Sequence, residues 1–92
     1  MTKQEQFTAE VDVVLNDIRE MLIQKNAAYG DSALNPVRIF SKADALEQLK
    51  VRIDDKLSRL ARGFDAGEDV NSDLLGYLVM FKIQLNRLKQ PN

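Results

Sequence analysis

Residues 25–31, Lys25-Asn26-Ala27-Ala28-Tyr29-Gly30-Asp31, end a long amphipathic stretch and open a polar one. Gly30 suits the left-handed position that commonly stops a helix. Upstream, Thr2-Lys3-Gln4-Glu5 has the form of a capping box, and apolar residues recur at Phe7, Val11, Val14, Ile18 and Leu22. The spacing predicts a first helix over about residues 2–28. Downstream, Ser32 to Phe40 holds Asn35, Pro36 and Arg38, and a residue before proline disfavours the helical region, so residues 30–40 read as a loop. Loops on rigid scaffolds tend to carry function, and this one is followed by two regular helices.

The first of these is expected over about 42–62, capped by Ser41 or Asp44, with Leu46, Leu49, Ile53, Leu57 and Leu60 in period and Gly63 as its stop. A short acidic linker, Asp65 to Glu68, leads to a cap at Asp69 or Asn71 and a third helix over about 70–89, before Pro91. No strand pattern competes. The expected fold is one all-α domain spanning 1–92: a long N-terminal helix, a loop, and an antiparallel helical pair that assembles into an oligomeric helical bundle.

The chain has 92 residues, few enough that a lone core only marginally offsets the entropy of ordering it, so association is expected. The third helix points the same way. Leu74, Leu78, Phe81, Leu85 and Leu88 make one stripe, and Leu75, Val79, Met80 and Ile83 add apolar surface that one partner face cannot cover. The expectation is a homo-oligomer through that helix, in which Gly76 either allows close helix approach or is merely tolerated.

Thirteen basic and 14 acidic residues give a net charge of −1, which provides no global pull toward long nucleic acid or anionic lipid. There is no cysteine and no histidine, which excludes disulfides, thiolate chemistry, a histidine-based triad and a zinc site built on either. The N-terminal residues lack an apolar leader, and no apolar run approaches bilayer length. A soluble, cytoplasmic protein with no membrane partner is expected.

Three constellations can carry chemistry. Arg52, Asp55, Lys56, Arg59 and Arg62 share one face of the second helix, which suits either a small polyanion or plain solvation with an Asp55–Arg59 pair. Asp54, Asp55, Asp69 and Asp73 can meet across the helical pair and hold magnesium on substrate phosphates, or Asp69 can be only a cap. Asp73, beside Leu74 and one turn before Tyr77, needs a cationic partner such as Lys56 or Arg59. Tyr29 and Phe40 flank the loop, and with Lys25, Asn26 and Asn35 they offer a stacking surface and amides for a nucleobase, or alternatively core and cap residues.

Lys25-Asn26-x-x-Tyr29-Gly30-Asp31, then Arg52 to Leu60, then Asp73-Leu74-Leu75-Gly76-Tyr77-Leu78 resemble, in the same order, small phage proteins of the nucleotide modification associated domain type. These are similar to the MazG-like, all-α NTP pyrophosphatases. The resemblance implies an oligomeric helical bundle that binds a nucleotide or nucleotide-derived phosphate. In the catalytic relatives two acidic pairs, E-x-x-E and E-x-x-D, hold magnesium. Here Ser58 stands where the second acid counted from Asp55 would fall, and Val70 stands three residues before Asp73.

The candidate ligand-binding residues are therefore Lys25, Asn26, Tyr29, Asn35, Arg38, Arg52, Lys56, Arg59 and Tyr77, and the candidate magnesium ligands are Asp55, Asp69 and Asp73. No catalytic residue is assigned. The leading expectation is nucleotide binding without turnover, as in a phage anti-defence sponge for a cyclic or modified nucleotide signal. A magnesium-dependent nucleotide pyrophosphohydrolase and an oligomeric protein-interaction module stand beside it.

Overall fold

The computed structural model describes residues 1–36, 43–63 and 69–90, and these form three α-helices and no strand. Helix α1 spans Lys3–Tyr29, α2 Ala45–Arg62 and α3 Val70–Lys89. Their ends follow from local chemistry. The Thr2 hydroxyl accepts from the Glu5 N–H at 3.1 Å while the Thr2 N–H donates to Glu5 Oε1 at 3.2 Å, the reciprocal capping box. Gly30 closes α1 at φ 65° and its N–H donates to the Asn26 carbonyl.

Helix α2 begins three residues later than the sequence spacing suggests. Asp44 sits in extended geometry and its carboxylate accepts from the Glu47 N–H at 2.9 Å, so the cap fixes the start at Ala45. The alternative cap, Ser41, lies outside the described residues. Gly63, at φ 70°, ends α2 and donates to the carbonyls of Arg59 and Leu60. Of the two candidate caps of α3, Asp69 is the one used, accepting from the Ser72 N–H at 3.0 Å.

Two contacts fix the helix directions. Lys56 of α2 meets Asp73 of α3 and Arg52 meets Tyr77, so one index falls as the other rises and the pair is antiparallel. By the same logic Lys25 at Asp73 and Met21 and Leu22 at Gly76 make α1 antiparallel to α3 where they touch. A Cβ on Gly76 would stand 2.9 Å from Met21 Cε and 3.1 Å from Leu22 Cδ2. Those are mobile side-chain ends that a methyl group can displace, but anything larger requires α1 to move away. Close approach of α1 is thus the structural use of Gly76.

The core is small: among the described residues Ile18, Leu34, Ala45, Leu49, Val70 and Leu74 are buried, and Leu49, 1% exposed, is the most enclosed. The expected α2 stripe is covered only in part, since Leu57 and Leu60 remain 49% and 44% exposed. On α1 every residue from 3 to 17 is exposed, because only the C-terminal part of this helix reaches α3. On α3, Leu78, Val79 and Leu88 also face solvent, in keeping with the wide apolar surface of that helix. No helix among the described residues is long and apolar enough to cross a membrane.

Candidate functional site

The turn after α1 is organised by Asp31. This residue adopts φ 64°, a left-handed conformation that aspartate tolerates better than most side chains. Its Oδ1 accepts from Asn26 Nδ2 at 2.6 Å and its Oδ2 accepts from Asn35 Nδ2, so one carboxylate ties the last turn of α1 to Asn35 in the turn that follows. Its carbonyl accepts the N–H groups of Leu34 and Asn35 at 3.2 and 2.9 Å, and Leu34 is thereby seated in the core. Reasoning from the sequence did not single out Asp31 for this role. A signal exists in the Gly30-Asp31 pair at a helix end, where a short polar side chain is favoured for positive φ.

Beneath this turn a cleft of about 400 Å³ opens between the end of α1 and the α2–α3 pair. Lys25, Asn26 and Tyr29 enter it from α1, Arg52 from α2, and Asp73 and Tyr77 from α3, so six residues singled out from three separate stretches of sequence share one cavity. Asp31, Ser32 and Ala33 form its rim, and Met21, Leu22, Gly76 and Met80 give it an apolar lining.

Charge in the cleft centres on Asp73. Its Oδ1 lies 3.1 Å from Lys25 Nζ and its Oδ2 lies 3.6 Å from Lys56 Nζ. The Asp73 and Lys56 side chains are 20% and 12% exposed, whereas Lys25 is 53% exposed and keeps contact with water. A partly buried carboxylate needs such compensation. Lys56 is one of the two partners expected from the sequence; Lys25, 48 residues away along the chain, is not. Arg52 lies over the Tyr77 ring with its guanidinium carbon 5.9 Å from the centroid, at the outer limit of a cation–π contact.

Several candidates fall elsewhere. The basic face of α2 is divided among different partners: Arg59 pairs with Asp55 at 3.3 Å on its own helix, and Arg62 donates to the Ser58 carbonyl at 3.4 Å. Neither Arg59 nor Asp55 lines the cleft. Asn35 acts through Asp31 instead of facing the cavity. Arg38 and Phe40 lie outside the described residues.

The three expected magnesium ligands are not brought together. Asp69 is held at the α3 N-terminus by Ser72, Asp55 by Arg59, and Asp73 by two lysines; among the described residues no three acidic side chains cluster. The capping geometry explains why. A carboxylate that accepts from the backbone ahead of it points along its own helix end and is unavailable to a cation across the bundle.

No protein-family model, curated protein or solved structure matches this chain.

Hydrogen bonds from the Ser72 hydroxyl, at 2.6 Å, and from the Ser72 N–H hold the Asp69 carboxyl below its usual range. A depressed folded-state pKa contributes stability above the unfolded value and loses it as pH falls through the folded one. Native protein is thus expected to lose thermal stability on acidification from about pH 4 downward. Asp69→Asn, which keeps a capping acceptor but does not ionise, should show a shallower fall in melting temperature over that window.

Proposed function

We propose that this protein binds a nucleotide or nucleotide-derived phosphate ligand in the cleft between α1 and the α2–α3 pair, and releases it unaltered. The observation that carries this reading is the convergence of Lys25 and Lys56, from different helices, on Asp73 beside a cavity that also holds Arg52, Tyr29 and Tyr77. Among the lining residues Lys25 and Arg52 balance Asp31 and Asp73, and Lys56, which meets Asp73 from behind the cavity wall, adds one further positive charge, suited to a phosphate group. Tyr29, 68% exposed, and Tyr77 offer aromatic faces for a base, and Asn26 offers an amide at the rim. The volume lies within the range of small-molecule sites.

Binding without turnover is preferred to hydrolysis because only Asp73, of the three acids considered for magnesium, lines the cavity, and lysines already engage it. In the setting implied by the resemblance to small phage proteins, the ligand is a cyclic or modified nucleotide used as a defence signal and the protein is its sponge.

Thermal melting against mono-, tri- and cyclic nucleotides, each with and without magnesium, tests this reading, followed by chromatography of each stabilising ligand after heat denaturation. A ligand that binds only the folded state raises the melting temperature with its concentration. Stabilisation with the ligand recovered intact is expected. Cleaved ligand that appears only with magnesium would establish the pyrophosphohydrolase reading instead, and no stabilisation by any nucleotide would remove both.

A further inference from the structure

The N-terminal half of α1 is the least supported part of the described chain. Residues 3–17 are all exposed, yet Phe7, Val11 and Val14 fall at the alternating steps of four and three that mark a coiled-coil seam. Their exposures are 63%, 36% and 49%. Ile18 and Met21 continue the same row onto the part of α1 covered by its own α3, so a single seam is half closed and half open.

Helix α3 carries a second open strip. Leu75, Leu78, Lys82, Leu85 and Lys89 repeat at steps of three and four, with Val79 beside them; Leu78, Val79, Lys82 and Lys89 are exposed and the two other leucines half-buried. Within one chain these strips do not close on each other. The two helices touch where residues 21–25 meet residues 73–76, and beyond Ile18 helix α1 runs on without cover.

Their charges are complementary. Between residues 3 and 17 four acids, Glu5, Glu10, Asp12 and Asp17, oppose one base, Lys3. Between residues 78 and 90 there are three bases, Lys82, Arg87 and Lys89, and no acid. Spacing matches as well. Glu10 and Asp17, which flank the α1 row on one side, stand seven residues apart, as do Lys82 and Lys89, giving about 10.5 Å along either helix. None of these four makes an ion pair among the described residues. The acidic balance of the α1 half also argues against docking on an anionic lipid surface.

We propose that the chain self-associates by laying the N-terminal half of α1 of one copy on the open α3 strip of a second copy, reciprocally, with Glu10 and Asp17 facing Lys82 and Lys89. The reciprocal contact is a closed two-fold arrangement in which each copy contributes both surfaces. It is independent of what the cleft binds. The expected association through α3 thereby acquires a specific counterpart, the overhanging half of α1.

Light scattering coupled to size exclusion on the full chain tests this, with circular dichroism as the check on helicity. The wild type is expected to be dimeric or larger. The double variants E10K/D17K and K82E/K89E should each associate at least tenfold more weakly, since like charges then face each other in both halves of the interface. An equimolar mixture of the two should associate again, because each α1 then meets an α3 of opposite charge. A monomeric wild type, double variants that associate as the wild type does, or a mixture that fails to associate would each overturn the proposal. All four side chains are exposed, so folding is not at stake.

Discussion

Replacing Leu49 by alanine is expected to lower the unfolding free energy by about 2–5 kcal/mol, the range for removing a large apolar side chain from a packed interior. Leu49 is 1% exposed and stands in a core of only six buried apolar side chains among the described residues, so its loss leaves a cavity that few neighbours can refill. The core draws on every part of the fold: Ile18 from α1, Leu34 from the Asp31-centred turn, Ala45 and Leu49 from α2, and Val70 and Leu74 from α3. A domain of this size has about 5–14 kcal/mol in total, so the loss is a large fraction of it. Val51→Ala is the control. Val51 is on the same helix and 67% exposed, and truncating it should change stability by no more than about 0.5 kcal/mol. Urea unfolding of the two variants gives the comparison, and equal losses would mean that α2 does not bury the face described.

The second large effect is at Asp73, where the expected sign separates the functional readings. Asp73→Asn preserves shape and removes a charge. For an anionic ligand in the cleft, a carboxylate about 5 Å from a phosphate charge opposes binding by about 3 kcal/mol at an effective dielectric constant of 20. Against this, Asp73 orients both Lys25 and the more enclosed Lys56, and each of these contacts contributes about 1 kcal/mol. Repulsion therefore outweighs the lost orientation. The variant should bind the nucleotide that most stabilises the wild type several-fold more tightly, as measured by calorimetry. A magnesium-holding Asp73 predicts the reverse, with metal-dependent cleavage lost and affinity for the metal complex reduced. Unchanged affinity would place the phosphate away from the Lys25–Asp73–Lys56 cluster and so defeat the binding geometry proposed.

The cluster also marks the limit of what can be read along a chain. Lys25, Lys56 and Asp73 belong to three helices, and nothing in the local pattern of any one says which way its charged face turns. The requirement that Asp73 find a cation is legible, because it stands among apolar neighbours, and Lys56 is one of the two partners this suggests. Lys25 is legible only as a member of a motif. The division of the α2 basic face is not legible, since helical periodicity places Arg52, Lys56, Arg59 and Arg62 together without saying where the neighbouring helix ends.

The sequence by itself determined the all-helical character of the described residues and the helix ends to within a few residues, leaving open two caps for α2 and two for α3. Thr2, Gly30, Asp44, Gly63 and Asp69 all act within four residues of themselves, through caps and left-handed turns whose energetics are local. Tertiary structure alone decided that Gly76 lets α1 approach α3, and that Asp55 and Asp69 stand outside the cleft while Asp73 stands within it. It also left half of an apolar seam on α1 bare. The physical reason is one of range: a capping hydrogen bond is closed by adjacent residues, whereas a cavity or an ion pair between helices depends on how whole helices are turned and where they cross. That depends on packing summed over all of them.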